Sequence, residues 1–455
     1  MLKTTSQIGV ETLLMQNKKH LKKVYVNSTE GCEEASLDTQ RVINLIKSYG
    51  PQKNFVYTKN IRQADLVIYN ACAHLQKKQN ESITNIKRLQ KMKKKSAKII
   101  VWGCLPKIDP TSLKKIYNGP LIGPEESWDF FKNQFNPESN KEDINANTLN
   151  NCTMPQEISN KQPSKREKIT NLYNYFESRR DWLLNVGEKK IVKNRWYIKI
   201  VSGCKNNCTY CSDLLAYKTV KSQPIKSIIN QFELGLKRGY RHFHFVGREL
   251  GSYGYDIDST LAQLLEKIIE KFSKNNFKIS LINISPNSLI ELYPDLQKTL
   301  ASKKINWLGS HIQSGSSRIL KIMGKNFQLN KWTETIKDIE KKYPYIKLET
   351  SIMVGFPSET KKDFEKSANL LNNLFFDKIN LYKYNERPNL PSKKIKNQIP
   401  ESVKNKRYYE MKYHSTFCRI KNQTKHGKLL TIPTLNLFFD IVNIPLRSFV
   451  EGKNK

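Results

Sequence analysis

The sequence predicts an α/β fold in two parts: an N-terminal doubly wound parallel-sheet domain followed by a partial (β/α)6 barrel. Three features point there. Six short apolar runs alternate with longer helical patterns between about residue 191 and residue 385. Three further runs, each ending in a turn-forming segment, lie before residue 105. A polar stretch, 136–168, separates the two series. Repeated strand–helix units form parallel sheets with right-handed crossovers, and six of them suit an open partial barrel.

In chain order, the lead 1–20 has no apolar h-region of a signal peptide, so the cytoplasm is the expected compartment. The first domain, 21–135, has KKVYVN, ADLVIYN and KIIVWGC as strands, with GCEEASLDTQRVINLIKSYG as a turn and amphipathic helix after the first. Residues 136–190 read as an insertion. Its first part, 136–168, is nearly free of large apolar side chains and is expected to be disordered, and 170–187 reads as an amphipathic helix. The barrel is expected over 191–410, with strands at Trp196–Val201, His242–Val246, Lys278–Ile284, Asn306–Ile312, Lys347–Val354 and Ile379–Tyr384. Helices with apolar spacing fall between them, among them Ile225–Lys237, Leu261–Lys271 and Asp363–Asn373. His242 and His244 alternate on one strand and read as packing residues. Residues 411–455 form a short C-terminal extension, whose richest apolar run, Leu435–Leu446, is too short to span a bilayer. A monomer without membrane contact is expected.

Composition excludes little. The chain has 455 residues, 38% hydrophobic and 26% charged, which is ordinary for a globular protein. Its net charge is +37, yet 63 of the 78 basic residues are Lys and only 15 are Arg, the residue that reads nucleic acids bidentately. Such a surplus still draws polyanions. The run KRLQKMKKK (87–95) reads as a solvated helix face or an RNA contact.

Cysteine placement says more. Eight cysteines are too sparse for a disulfide scaffold. Three stand together in SGCKNNCTYCSD as Cys204, Cys208 and Cys211. One short loop of that spacing can wrap three thiolates around one face of a 4Fe-4S cubane and leave the fourth iron open. Zinc sites take four ligands in paired form, and no fourth Cys or His stands nearby. The open iron can hold the amine and carboxylate of S-adenosylmethionine, and the spacing, with Tyr210 before the last Cys, is the radical-SAM signature. Upstream, Cys32, Cys72 and Cys104 each stand just past the C-terminal end of a predicted strand, so they would converge at one crevice. That trio can hold a second 4Fe-4S cluster; the bland alternative is three small hydrophobes closing buried strands. A cobalamin domain would need an Asp-x-His-x-x-Gly loop, and none is present. Cys152 and Cys418 read as free thiols.

Further motifs carry a resemblance. HIQSGSSRILKIMGK (311–325) is similar to an H-x-x-x-Q-S-G-S segment, and SIMVGFPSET (351–360) to I-V-G-F-P-G-E-T. VGRELGSYG (246–254) stands where relatives have T-G-Q-(D/N)-x-x-x-Y-G. Together with the two cysteine trios, these resemble the radical-SAM methylthiotransferase family, which modifies tRNA adenosines or a ribosomal-protein aspartate. The resemblance covers about residues 22 to 410. It implies a radical-SAM barrel, two 4Fe-4S clusters, S-adenosylmethionine, and transfer of a methylthio group to an unactivated C–H. One S-adenosylmethionine would methylate sulfur at the second cluster; another would be cleaved at the Cys204, Cys208 and Cys211 cluster to start hydrogen abstraction. A tRNA adenosine is the implied substrate, and a one-electron reductant such as flavodoxin or ferredoxin the implied partner. Sulfur insertion into a ribosomal protein, a peptide or a small metabolite is one alternative; a non-catalytic iron–sulfur module that binds RNA or protein is another. In the cofactor shell Glu249 would accept a hydrogen bond from the cofactor amine, Gln313 would touch cofactor or substrate, and Gly355 would let the adenine approach the backbone. Departures from the family lie beside the ligands. SDLLAYKTVKSQP follows Cys211 where relatives read I-I-P-x-x-R-G-x-x-R-S-R-P, YNERPNLPS (384–392) replaces Y-S-x-R-x-G-T-x-A, and no run past Arg407 matches the family's small C-terminal TRAM β-barrel.

Overall fold

The computed structural model describes residues 21–135, 144–149 and 194–425. The lead 1–20, most of the insertion with Cys152 and the 170–187 helix, and the chain beyond 425 lie outside the described residues. The described residues divide into two compact units, one of 21–135 and 144–149 with Leu215–Tyr217, the other of 194–214 with 218–425.

The first unit is a five-stranded parallel sheet of β1 (Lys22–Ser28), β2 (Phe55–Tyr57), β3 (Leu66–Asn70), β4 (Lys98–Trp102) and β5 (Leu121–Ile122), in the order β2-β1-β3-β4-β5. Strands covered on both faces read as continuous apolar runs, and Val24–Ser28 and Val67–Asn70 are buried at every residue. Helix α1 (Glu33–Tyr49) carries Glu33 and Glu34 in its first turn, where the helix dipole favours acids. It buries Val42, Ile43, Leu45 and Ile46 against the sheet. Helix α2 (Gln76–Met92) follows β3, and three short helices complete the unit: α3 (Leu105–Ile108), α4 (Pro110–Lys114) and α5 (Ser127–Phe135). The strand order reverses direction between β1 and β3, and a crevice opens at such a switch point beyond the carboxyl ends.

The second unit is a six-stranded, all-parallel sheet of β6 (Arg195–Lys199), β9 (His242–Val246), β10 (Lys278–Ile284), β11 (Ile305–Ser310), β12 (Lys347–Val354) and β13 (Lys378–Lys383), each hydrogen-bonded to the next in that order. A small antiparallel pair, β7 (Val201–Ser202) with β8 (Lys221–Ser222), brackets the segment after β6. The α/β class and both parallel sheets are as expected from the sequence. Helices follow the strands: α6 (Asp213–Ala216), α7 (Ile225–Lys237), α8 (Leu261–Lys271), α9 (Pro286–Ala301), α10 (Ser317–Ile322), α11 (Leu329–Lys342) and α12 (Lys361–Asn373). Thr260 and Thr360 start α8 and α12 with capping boxes. One boundary differs from expectation. Helix α13 (Glu401–Lys425) runs through residue 410, and Met411 and Cys418 are buried in the barrel core, so the barrel does not stop there. Among the described residues no helix is long and apolar enough to cross a membrane.

Candidate functional site

Each cysteine trio is set by how the chain leaves its strands. In the first unit Cys32 follows β1, Cys72 follows β3 and Cys104 follows β4, all at the carboxyl end of the sheet and two of them flanking the switch point. A left-handed glycine turns the chain just before two of them, Gly31 at φ +78° and Gly103 at φ +99°. A Cβ on Gly103 would stand 2.2 Å from Asn70 Oδ1, so only glycine fits. Asn70 Nδ2 in turn donates to Ala35 O at 3.0 Å, which fixes the first turn of α1 behind Cys32. The backbone of Cys72 is held by two buried hydroxyls: its N–H donates to Thr29 Oγ1 at 3.1 Å, and Ser82 Oγ donates to its carbonyl at 2.6 Å. Thr29 and Ser82 are themselves bonded at 2.6 Å. Sequence reading missed Thr29, Asn70 and Ser82, because their roles come from residues distant in the chain.

The Cys32 and Cys72 thiols are hydrogen-bonded, and Cys104 is near enough to act on Cys72 through its charge. A hydrogen bond from Cys32, then burial, pushes the Cys72 thiol far above its ordinary range, and the charge of Cys104 adds to this. None of the three is in a disulfide. Thiols so crowded become thiolates only against compensating positive charge, which bound iron supplies. Among the described residues no three His, Cys, Asp or Glu side chains close to single-ion spacing. A four-iron cubane gives each thiolate its own iron, so the donor set fits a cluster with three protein ligands.

The second trio sits in the loop after β7 at the carboxyl end of the barrel, where such barrels place their chemistry. Gly203, at φ +78°, precedes Cys204 as Gly31 precedes Cys32. Cys204 Sγ accepts from both Asn206 N and Asn206 Nδ2 at 3.4 Å. The loop is tied to the barrel by Lys205 N donating to Ser252 Oγ at 3.0 Å and by Thr209 N donating to Met323 O at 2.9 Å. Burial pushes the Cys204 thiol up to about 11. Burial and then the charge of Asp213 push the Cys211 thiol well up. Asp213 Oδ2 lies 3.6 Å from Cys211 Sγ, and Arg248 faces Asp213 at 3.7 Å.

The remaining expected residues fall around this loop with differing roles. Tyr210 packs edge-on to Phe356 at 6.1 Å, and Phe356 packs on Tyr384 at 5.3 Å, an aromatic line from the cysteine loop to the ends of β12 and β13. Glu249, expected to receive a cofactor amine, has both oxygens engaged by protein. Oε1 accepts from Gly251 N and Ser285 N at 2.9 Å, and Oε2 accepts from Ser252 Oγ at 2.6 Å and Ser288 Oγ at 3.3 Å. The carboxylate thus braces the loop that holds Lys205 N. Gln313 takes φ +74°, pinned by its N–H to Ser351 O and by Met353 N to its own carbonyl, both at 2.8 Å. Its Nε2 donates to Ser351 Oγ at 2.8 Å, while its buried Oε1 has no hydrogen-bond partner among the described residues. Gly355, at φ +73°, would bring a Cβ within 2.5 Å of Lys404 Cγ, so its close neighbour is the Lys404 stem. His244 is buried beside Tyr197 as a packing residue. Cys418 is buried and in no disulfide among the described residues, its thiol 3.2 Å from Asn372 Oδ1 and 3.5 Å from His414 Nε2.

Comparison with known proteins follows the same division. Residues 198–371 match the Radical SAM superfamily, and residues 23–121 match an "Uncharacterized protein family", UPF0004. The chain is 28% identical to a tRNA-2-methylthio-N(6)-dimethylallyladenosine synthase of Thermodesulfovibrio yellowstonii, over 89% of this chain and 86% of the relative. It is 26% identical to a threonylcarbamoyladenosine tRNA methylthiotransferase of Thermotoga maritima, over 83% of this chain and 79% of the relative. A solved radical S-adenosylmethionine methyltransferase of Kitasatospora setae, with cobalamin and a [4Fe-4S] cluster bound, shares the fold at TM-score 0.54 and 11% identity, covering 82% of this chain and 77% of its own. Both matched regions each carry one cysteine trio, and the similarity to the curated relatives runs through both. Over most of its length the chain is similar to the radical-SAM methylthiotransferases, and the same matches support an enzyme that uses S-adenosylmethionine and 4Fe-4S clusters.

Proposed function

We propose that this enzyme inserts a methylthio group at an unactivated C–H of a tRNA adenosine, with Cys204, Cys208 and Cys211 holding one cluster and Cys32, Cys72 and Cys104 the other. The observation that carries the reading is the pair of cysteine trios, none in a disulfide, each at the carboxyl end of its own parallel sheet. The names of the curated relatives, both enzymes of tRNA adenosines, support the substrate. When bound, the clusters and S-adenosylmethionine supply the one-electron chemistry and the sulfur.

The residues of this chain position and shield. Gly31, Gly103 and Gly203 aim the cysteines outward from the strand ends. Thr29 and Ser82 fix the Cys72 backbone, and Asn206 donates two hydrogen bonds to the Cys204 sulfur, which draws charge from it. The Tyr210, Phe356 and Tyr384 line forms an apolar wall that excludes water from the loop. Gln313 offers its unpartnered Oε1 to a donor on the bound ligand. Glu249 braces the loop, and Gly355 makes room for the Lys404 stem beside it. Electrons arrive from a one-electron donor of the flavodoxin or ferredoxin kind, and the enzyme works as a monomer.

The test is mass spectrometry of tRNA nucleosides from cells with and without the gene, and from tRNA treated with the reconstituted enzyme. A methylthio-adenosine lost in the deletion and formed in the reaction is expected. An unchanged nucleoside profile, with sulfur appearing on a protein or metabolite instead, overturns the substrate.

A further inference from the structure

The first unit carries a strongly one-sided charge that the cysteine site does not use. Between Ser82 and Pro124 the sequence has ten Lys or Arg residues and one acid, Asp109. That acid is buried and occupied, since it caps α4 through Ser112 N and accepts from Gln79 Nε2. Helix α2 explains where the charge goes. Its residues Gln79, Ser82, Asn85, Ile86 and Leu89 are buried, so Lys87 and Lys91, one turn apart, stand exposed on the opposite face. Lys95 continues that direction past the helix end, also exposed. Gln90 Nε2 donates to Ile116 O at 3.1 Å, which brings the exposed Lys114 and Lys115 alongside. Among the described residues none of these five lysines is paired with a carboxylate.

We propose that this patch of Lys87, Lys91, Lys95, Lys114 and Lys115 is the surface on which the enzyme grips the sugar–phosphate backbone of its RNA substrate. The proposal rests on the tRNA reading above and adds the docking surface. Its chemistry favours RNA over a protein partner. Protein interfaces take their energy from buried aromatic and Arg anchors, and no large exposed hydrophobic residue lies between 82 and 124. What stands beside the lysines is neutral and polar, as Thr84 and Gln90 are, the side chains that meet phosphates and sugars without reading sequence. Position matters as well. Helix α2 begins four residues after Cys72 and spans roughly 25 Å at 1.5 Å per residue. The patch therefore lies at the far end of the helix from the cysteines, and RNA is held at a distance from the reacting centre. Grip and chemistry should be separable by mutation.

The experiment uses full-length, cluster-loaded protein and an unmodified tRNA transcript, titrated over a range of salt. Lys87→Glu/Lys91→Glu/Lys115→Glu is compared with Lys337→Glu/Lys341→Glu/Lys362→Glu, an equal reversal of exposed lysines on the barrel. Three lost phosphate contacts should weaken binding on the order of tenfold to a hundredfold near physiological salt, and make the log–log salt slope shallower by roughly 2 to 3. The barrel triple should change affinity less than threefold, roughly the effect of long-range charge alone. Iron content and 5′-deoxyadenosine release without tRNA should match the native protein in both. Equal losses in the two triples overturn the patch, as does native-like tRNA binding by the patch triple. A patch triple that keeps tRNA but no longer accepts electrons from a flavodoxin overturns it in favour of a protein surface. Native protein that binds no tRNA overturns the substrate reading itself, a result distinct from the others.

Discussion

Replacing Gly203 by Ala should remove one cluster and leave the other. Gly203 sits at φ +78°, where a side chain costs about 1–2 kcal/mol. The added Cβ would also lie 2.0 Å from Thr219 O and 3.0 Å from Thr219 C, both backbone atoms. Thr219 leads into β8, which pairs with β7 immediately before the cysteine loop, so relief of the clash must shift the hairpin that aims Cys204. Gly239 is the matched control. Its φ is +85° and nothing lies within 4 Å of its Cβ position, so Gly239→Ala carries the conformational cost alone. Iron per chain after anaerobic reconstitution is the assay. Native protein and Gly239→Ala should hold about eight irons, two cubanes, and Gly203→Ala about four, with no 5′-deoxyadenosine formed. Gly103→Ala should lose the other four, since its Cβ meets Asn70 Oδ1 at 2.2 Å and Ala71 O at 3.0 Å, while still cleaving S-adenosylmethionine. Full iron and native cleavage in Gly203→Ala would refute the idea that this turn sets the ligand geometry.

Four further outcomes follow from the same geometry. Cys32→Ala/Cys72→Ala/Cys104→Ala should retain about four irons and 5′-deoxyadenosine release but transfer no methylthio group, and thiolated product from it would mean that sulfur enters elsewhere. Glu249→Gln sets an amide N–H against donors that the carboxylate now satisfies, costing about 1–3 kcal/mol, so the Tm should fall even without cofactor; an unchanged Tm would return Glu249 to a purely cofactor-facing role. Asp213→Asn removes a negative charge 3.6 Å from Cys211 Sγ and should raise the midpoint potential of the cluster there, read by potentiometric titration followed by EPR. Burial lowers the His311 pKa to about 4, so the unfolded chain takes up the proton first as pH falls. Stability should decline between about pH 6.5 and pH 4 by up to about 1.4 kcal/mol per pH unit, and His311→Leu should flatten that slope in urea titrations.

What could be read from sequence was whatever repeats with a short period. The strands at His242–Val246, Lys278–Ile284 and Lys347–Val354 fall as expected, because a buried parallel strand is a continuous apolar run bounded by turns. The edge strands β2 and β5 escaped notice, since three and two residues leave no pattern to see. The cysteine trios were legible because strand ends are, and ligands at consecutive strand ends share a crevice whatever lies between them. The hydroxyl pair of Thr29 and Ser82 was not legible: the two stand 53 residues apart, and only the folded sheet joins them. Glu249 carries a second role that sequence reading did not show. A carboxylate past a strand end looked ready for a cofactor amine, yet Ser285 and Ser288, from the start of α9, use its lone pairs. The Gly–Cys pairs at 31–32, 103–104 and 203–204 were a sequence signal within reach, for a left-handed residue at the strand end is what turns each thiol out of the sheet.

The structural neighbour that binds cobalamin shows how little of this chemistry resides in the fold. Its chain can be laid over 82% of this one at 11% identity, so layers and connections are held in common while side chains are not. The sequence here has no Asp-x-His-x-x-Gly loop. At the carboxyl edge of its first sheet it has Cys32, Cys72 and Cys104 instead, two of them flanking the switch point between β1 and β3. A doubly wound sheet opens a crevice there for geometric reasons, and the residues lining the strand ends decide what enters it. The same reasoning separates the two halves of this enzyme: each parallel sheet contributes one trio, and each trio depends on its own glycine turn. Loss of either turn should therefore leave the other cluster intact, and iron content should fall in steps of four rather than gradually.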